Sequence, residues 1–278
     1  MNHQELTKLL TPTYGAGEAR AVVRLVMEER FGLSQTDLLL GKDTTLSADK
    51  RKEFEKIAQR LVKGEPVQYV LGYTSFYGHR FRVTPDVLIP RPETEELVHI
   101  ALDEQPIPAN ILDLCTGSGC IAISLAKALP RATVAGIDIS EKALAVALEN
   151  RAALDADGVR FFRRDILIWE PLHEQPFDLI VSNPPYVCQS EAKTMAPHVL
   201  NHEPHLALFV PDADPLLFYR AISRIGLQAL RQGGGVAVEI NEALPDETCQ
   251  TFVDAGYTQV KVHHDQFGKP RFLTAKRP

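Results

Sequence analysis

Residues Asp113 to Ala122 read DLCTGSGCIA and overlap the end of the strand-like segment NILDL at 110–114. Gly117, Gly119 and Ala122 stand in the spacing GxGxxA. Between a strand and a helix, such a turn lets backbone approach a ligand above the helix N-terminus. Downstream, TVAGID ends on Asp138, 19 positions after Gly119. An acid at about that offset, at the end of the next strand, accepts hydrogen bonds from a ribose diol. The order strand, glycine turn, helix, strand, acid points to a bound nucleoside cofactor. In the plainer alternative the glycines only turn the chain and Asp138 caps a helix starting near Glu141.

Beyond Asp138 the alternation continues. Glu141 to about Ala153 has helical spacing, and VRFFR (159–163) and FDLIVS (177–182) are strand-like. A helix around Pro215 to Arg231, the strand GVAVEI, a further helix and two closing strands near TQVKVHH and RFLTAK follow. Strands alternating with helices predict a parallel sheet covered on both faces, an α/β doubly wound, Rossmann-like fold. Val187 to about Asp214 shows no pattern and reads as a long loop, either a lid or an unrecognised helix.

The glycine turn alone does not separate a dinucleotide from S-adenosylmethionine. A second motif bears on that choice. FDLIVSNPPYV places Asn183, Pro184, Pro185 and Tyr186 directly after a strand, at the carboxyl edge where open α/β sheets bind ligands. The side-chain oxygen of Asn183 and the carbonyl of Pro184 can each accept one N–H of a planar NH2 group. The prolines stiffen the loop and remove competing backbone donors, while Tyr186 offers a flat wall for an amide or base. A plain turn is more readily made with Gly or Asp.

Toward the amino terminus the sequence changes character. From Gln4 to about Gly64, apolar and charged residues recur at three and four spacing, as in EARAVVRLVMEERFG and ADKRKEFEKIAQRLV. This predicts a small all-helical domain. Between Val67 and Pro90, aromatic and β-branched residues broken by Gly72, Gly78 and Pro85 predict a β-hairpin linker. PRPETEELV then opens a helix with prolines and acids. The expected division is 1–66, 67–90 and 91–278.

The chain has 278 residues, 45% hydrophobic and 24% charged, with a net charge of -6. That balance gives no global attraction to phosphate backbones, so nucleic acid is not expected as a direct partner. No segment reaches about 18 uninterrupted apolar residues, and MNHQELTKLL lacks a signal-peptide core. A cytoplasmic protein making no membrane contact is expected. Cys115, Cys120, Cys188 and Cys249 lack CxxC pairing and read as reduced thiols. His202 and His205 have no third ligand nearby in sequence, so no metal is expected.

Together DLCTGSG, GIDIS and FDLIVSNPPYV resemble amino-methyltransferases that act on planar nitrogens. EPVQYVLGYTSFYGHRFRVTPDVLIPRPETEEL, residues 65–97, is similar to the glutamine methyltransferases of peptide chain release factors. The likeness spans nearly the whole chain. It implies a class I methyltransferase sheet with S-adenosylmethionine held by Cys115, Thr116, Gly117, Ser118, Gly119 and Asp138. Ile166 would border the adenine, although an apolar residue there is equally expected as sheet core. Asn183, Pro184, Pro185 and Tyr186 would hold a glutamine, with Asn183 also near the cofactor. The resemblance further implies methylation of the glutamine in the Gly-Gly-Gln motif of release factors 1 and 2. A monomer is expected.

The sequence departs from that family at Cys115 and Asn241, both usually glycine. DLCTGSGCIAI is similar to the sister group that methylates a ribosomal-protein glutamine, whereas RPETEEL sides with the release-factor group. Three further readings remain open. They are amino-methylation of adenine or cytosine in nucleic acid, a dehydrogenase using the same turn, and a cofactor-binding module that only docks on the translation machinery.

Overall fold

The structure, a computed structural model, describes residues 1–104, 110–171 and 176–278. It contains two units: Met1–Tyr73 with Ala196–His202, and Thr74–Met195 with Glu203–Pro278. Among the described residues no helix is long and apolar enough to cross a membrane.

In the first unit, α1 (His3–Phe31) starts at a reciprocal cap in which Asn2 and Glu5 satisfy each other's backbone amides. It is broken at Gly15, whose φ of 76° and ψ of 159° suit a residue without a Cβ. Ser34 and Asp37 make a second reciprocal cap for α2 (Gln35–Leu39), and Ser47 caps α3 (Ala48–Val62). Leu6, Leu10, Val23, Val26 and Met27 of α1 bury against Phe54, Ile57 and Leu61 of α3. The three and four spacing seen in the sequence is this shared stripe.

The hairpin expected from Val67 begins later than its composition suggests. Val67–Leu71 is a short helix, α4. Its last carbonyls, which have no partner inside the helix, are taken by the Arg60 guanidinium at Tyr69 and Val70. The hairpin itself is β1 (Tyr73–Phe76) and β2 (His79–Arg82). Phe76 and Phe81 are buried with Leu97, Val98 and Ile111. The hairpin is thereby part of the core of the second unit.

The second unit continues through α5 (Pro92–Glu104), β3 (Asn110–Leu114), α6 (Cys120–Ala128), β4 (Thr133–Asp138), α7 (Glu141–Ala153), β5 (Val159–Arg163) and β6 (Phe177–Ser182). The stretch read as a patternless loop holds β7 (Val187–Cys188), α8 (Pro197–His202), α9 (His205–Leu208) and β8 (Phe209–Val210). Of these, α8 belongs to the helical unit. Then come α10 (Leu217–Ala229), β9 (Leu230–Glu239), α11 (Pro245–Asp254), β10 (Thr258–His264) and β11 (Pro270–Lys276).

The sheet runs β10-β11-β9-β6-β3-β4-β5. From β5 to β9 neighbouring strands are parallel, while β11 lies antiparallel between β9 and β10. Successive residues alternate between two cores: Ile111, Val134, Leu179 and Ala237 face one, and Leu112, Ala135, Ile180 and Val236 face the other. A sheet apolar on both faces is what the near-continuous apolar strands required. The chain winds outward from β3 through β4 and β5, then returns to β6 on the other side of β3. At this switch point the loops after β3 and β6 open beside one another.

Candidate active site

The loop after β3 is held from several sides. The Thr116 amide donates to the Ile137 carbonyl at 2.9 Å, and the Gly119 amide closes a tight turn onto the Thr116 carbonyl at 2.8 Å. Asn150 of α7 donates to the Ser118 carbonyl at 2.9 Å. Below the loop, buried Asp113 accepts from the Thr116 hydroxyl and the Ala122 amide. Its other oxygen has no partner among the described residues, and burial pushes its pKa up to about 7.

Asp138, at the end of β4, accepts from the Gly117 amide and from the Ser140 amide, both at 2.9 Å. It does not cap α7, because Ser140 does so by accepting from the Ala143 amide. A carboxylate offers about four acceptor positions, so Asp138 keeps acceptor capacity for a ribose hydroxyl. Burial raises the Asp138 pKa from its ordinary value. Asp138 lines a cavity together with the apolar side chains Ile139, Ile166, Leu167 and Phe218. A carboxylate with spare acceptor capacity beside apolar walls fits a ribose carrying a flat base, the chemistry of a nucleoside.

On the other side of the cavity stands the loop after β6. The Asn183 Nδ2 donates to the Thr94 hydroxyl at 3.2 Å, and that hydroxyl donates to Glu239 Oε2 at 2.7 Å. The Tyr186 hydroxyl donates to Glu239 Oε1 at 2.8 Å. Asn241, two residues further along and so on the same side of the chain, donates its Nδ2 to the Tyr186 carbonyl at 3.0 Å. The Ser182 hydroxyl anchors the base of the loop on the Leu114 carbonyl at 2.6 Å. Burial raises the pKa of Glu239 and lifts that of Tyr186 well above its usual range. Nearby, the buried Glu203 binds the Arg91 guanidinium at 2.6 Å and the Ile89 amide at 3.2 Å.

Of the residues expected from the sequence, the structure brings Cys115, Thr116, Gly117, Ser118, Asp138, Ile166, Asn183 and Pro185 to one cavity. Ile166 also belongs to the core on its side of the sheet, so both of its anticipated environments hold at once. Gly119, Pro184 and Tyr186 are not among the lining residues. Gly119 has a φ of 79°, and a Cβ there would lie 2.9 Å from the Phe161 ring. It is needed where the loop meets α6 and the sheet. The Tyr186 ring packs against the core and its hydroxyl points to Glu239. Sequence reasoning missed Thr94, Glu203 and Glu239. Thr94 and Glu239 lie 89 and 56 positions from Asn183, and no local pattern links them.

Residues 108–266 match the methyltransferase domain family, and residues 4–72 match the PrmC N-terminal domain. A solved methyltransferase from Pyrococcus furiosus shares the fold at 18% identity and a TM-score of 0.54, covering 79% of this chain and 96% of that one. Fold and matched domain make the chain a methyltransferase. The release factor glutamine methyltransferase of Bacteroides thetaiotaomicron is 48% identical over 268 residues, 96% of either chain. The protein of the same name from Flavobacterium psychrophilum is 40% identical over 274 residues, covering 97% of this chain and 95% of that one. The chain belongs to the family of release factor glutamine methyltransferases.

Proposed function

We propose that this enzyme transfers the methyl group of S-adenosylmethionine to the side-chain amide nitrogen of the glutamine in the Gly-Gly-Gln motif of peptide chain release factors 1 and 2. It acts as a cytoplasmic monomer without metal or nucleic acid. The names of its relatives favour this substrate. Cys115 to Ser118 and Asp138 hold the cofactor on a loop whose turn Gly119 makes, with Asp138 on the ribose diol and Ile166 against the adenine. The cofactor supplies a methyl group on a sulfonium, an electrophile that requires no covalent enzyme intermediate.

One observation carries the reading. The Nδ2 of Asn183 is committed to Thr94, whereas among the described residues nothing donates to its Oδ1 or to the Pro184 carbonyl. Two untaken acceptors match the two hydrogens of one NH2 group. An amide nitrogen is a weak nucleophile because its lone pair is delocalised into the carbonyl. Holding both hydrogens turns the nitrogen face toward the methyl group, so orientation supplies much of the rate. Pro185 lines the cavity and keeps the loop stiff.

The test offers labelled S-adenosylmethionine with a release factor, a ribosomal protein or RNA. Label is expected on the Gly-Gly-Gln glutamine and not on a release factor in which that glutamine is replaced. Label on adenine, or on the ribosomal protein alone, overturns the assignment. Asn183→Ala should slow single-turnover transfer on the order of 100-fold while cofactor affinity holds.

A further inference from the structure

We propose that Glu239 is a positioning residue that sets the polarity of the Asn183 amide through Thr94. The inference rests on the reading of Asn183 Oδ1 as an acceptor for the target NH2. It goes beyond that reading by naming what aims this oxygen.

The argument follows from counting protons. A hydroxyl has one proton to give. Thr94 spends it on Glu239 Oε2 at 2.7 Å, so toward Asn183, 3.2 Å away, the same oxygen can only accept. Asn183 must therefore present its NH2 to Thr94, which turns its carbonyl oxygen the other way. An ionised carboxylate accepts and never donates. With Tyr186 donating to Oε1, both oxygens of Glu239 receive hydroxyl protons, and no proton is left to run the relay backwards.

Replacing Glu239 by glutamine removes that constraint at nearly constant shape. The new NH2 can donate to Thr94, Thr94 can then donate to Asn183, and the Asn183 amide can turn over. It would then show hydrogens, not an oxygen, to the substrate NH2. Around Glu239, among the described residues, the charged and titratable groups are Glu93 on α5, Tyr186 after β6, Tyr219 on α10 and Arg271 on β11. Burial and Glu93 favour the protonated acid, while Thr94, Tyr186 and Arg271 favour the carboxylate. Protonation would free the relay as the glutamine does, so wild-type rate should fall on acidification.

The experiment has a structural arm and a kinetic arm. In the full-length enzyme, the Asn183 side-chain amide resonance, identified by its loss in Asn183→Ala, should show one hydrogen-bonded proton. It should shift in Glu239→Gln and in Thr94→Val, and stay in place in Thr94→Ser. With a release factor as substrate, Glu239→Gln and Thr94→Val should lower the single-turnover rate by about 10-fold, with KM for the release factor held within about twofold. Thr94→Ser should recover most of the rate. In an Asn183→Ala background, Glu239→Gln should cost nothing more, because the effect passes through Asn183. The acid limb of the wild-type pH profile should be missing from Glu239→Gln.

An unshifted Asn183 resonance in both Glu239→Gln and Thr94→Val overturns the inference. So does a full additional rate loss from Glu239→Gln on top of Asn183→Ala. If the resonances shift as expected but Asn183→Ala transfers methyl at the wild-type rate, the function proposed for Asn183 fails while the relay stands. Because Thr94 lies on α5 and Glu239 on β9, misfolding of one variant leaves the other to decide.

Discussion

At the scale of single residues, the two motifs that announced the site owe their legibility to backbone demands. Gly119 has a positive φ and no room for a Cβ, and two consecutive prolines follow Asn183, so both motifs are written in residue types with few substitutes. Cys115 shows the limit of such reading. Its φ of 60° lies in the left-handed region that favours glycine, yet a cysteine in the sequence gives no sign of such a backbone. Asp138→Ala should weaken S-adenosylhomocysteine binding by about 1 to 3 kcal/mol, the cost of stranding groups that were hydrogen-bonded to a charge. Calorimetry checks this, and unchanged affinity removes Asp138 from the cofactor site. Asp113 yields a pH prediction. Its folded pKa of about 7 lies above the value of about 4 for an unfolded aspartate, so the folded state holds the proton more tightly. The associated stability is fully present below about pH 4 and is lost as pH rises through about 7. Compared with Asp113→Asn, the cofactor-free wild type should lose about 1.4 kcal/mol per pH unit across that window. Parallel stability curves from urea titrations at several pH values would contradict it.

At the scale of elements, the strands and long helices were readable because each repeats one period over enough residues. NILDL and DLIVS are short, mostly apolar segments, and both became strands buried on two faces. Val187 to Asp214 was not readable, for the same reason inverted: its elements are two to six residues long, shorter than two helical turns. What fixes that stretch is side-chain bonding at long range. Glu203 grips Arg91 and the Ile89 amide, while Glu191, which also accepts locally from the Cys188 amide, accepts from Asn241. Asn241 thereby joins three pieces of chain, since it also holds the Tyr186 carbonyl and accepts from the Ala243 amide. A glycine at this position would offer none of these side-chain bonds. Asn241→Ala should lower stability by about 1 to 3 kcal/mol through the buried groups it leaves unpaired. The urea midpoint should fall with an unchanged slope. A midpoint equal to that of the wild type would show that these bonds are replaced by water.

At the scale of the whole molecule, the sequence showed a run of strands and helices but not their order across the sheet. Nothing in TQVKVHH or RFLTAK says that the later strand inserts between β9 and β10. The turn that joins β10 to β11 is held by Asp265, which accepts from the Phe267 and Lys269 amides and binds Arg271. The change from three and four spacing to strand alternation falls near the end of Met1–Tyr73, but nothing in the sequence assigns Ala196–His202 to the helical unit. Each unit closes a core of its own: Leu6, Leu10, Met27, Phe54 and Leu61 in the helical unit, and two clusters on opposite faces of the sheet in the other. Among the described residues, those that line the cavity belong to the sheet unit. A ligand that binds the folded form of one unit stabilises whatever unfolds together with it, by about 2.7 kcal/mol at 100 times its Kd. If the cores open separately, S-adenosylhomocysteine at that concentration should slow amide exchange about 100-fold in β3, β4 and β6, at amides that exchange through opening of the whole unit. Amides of α1 and α3 should exchange at the same rate with and without ligand. Hydrogen exchange read by mass spectrometry on peptides from each segment distinguishes the cases. Equal slowing in α1 and α3 would mean that the helical unit opens only when the sheet does, and that the two cores form one cooperative structure.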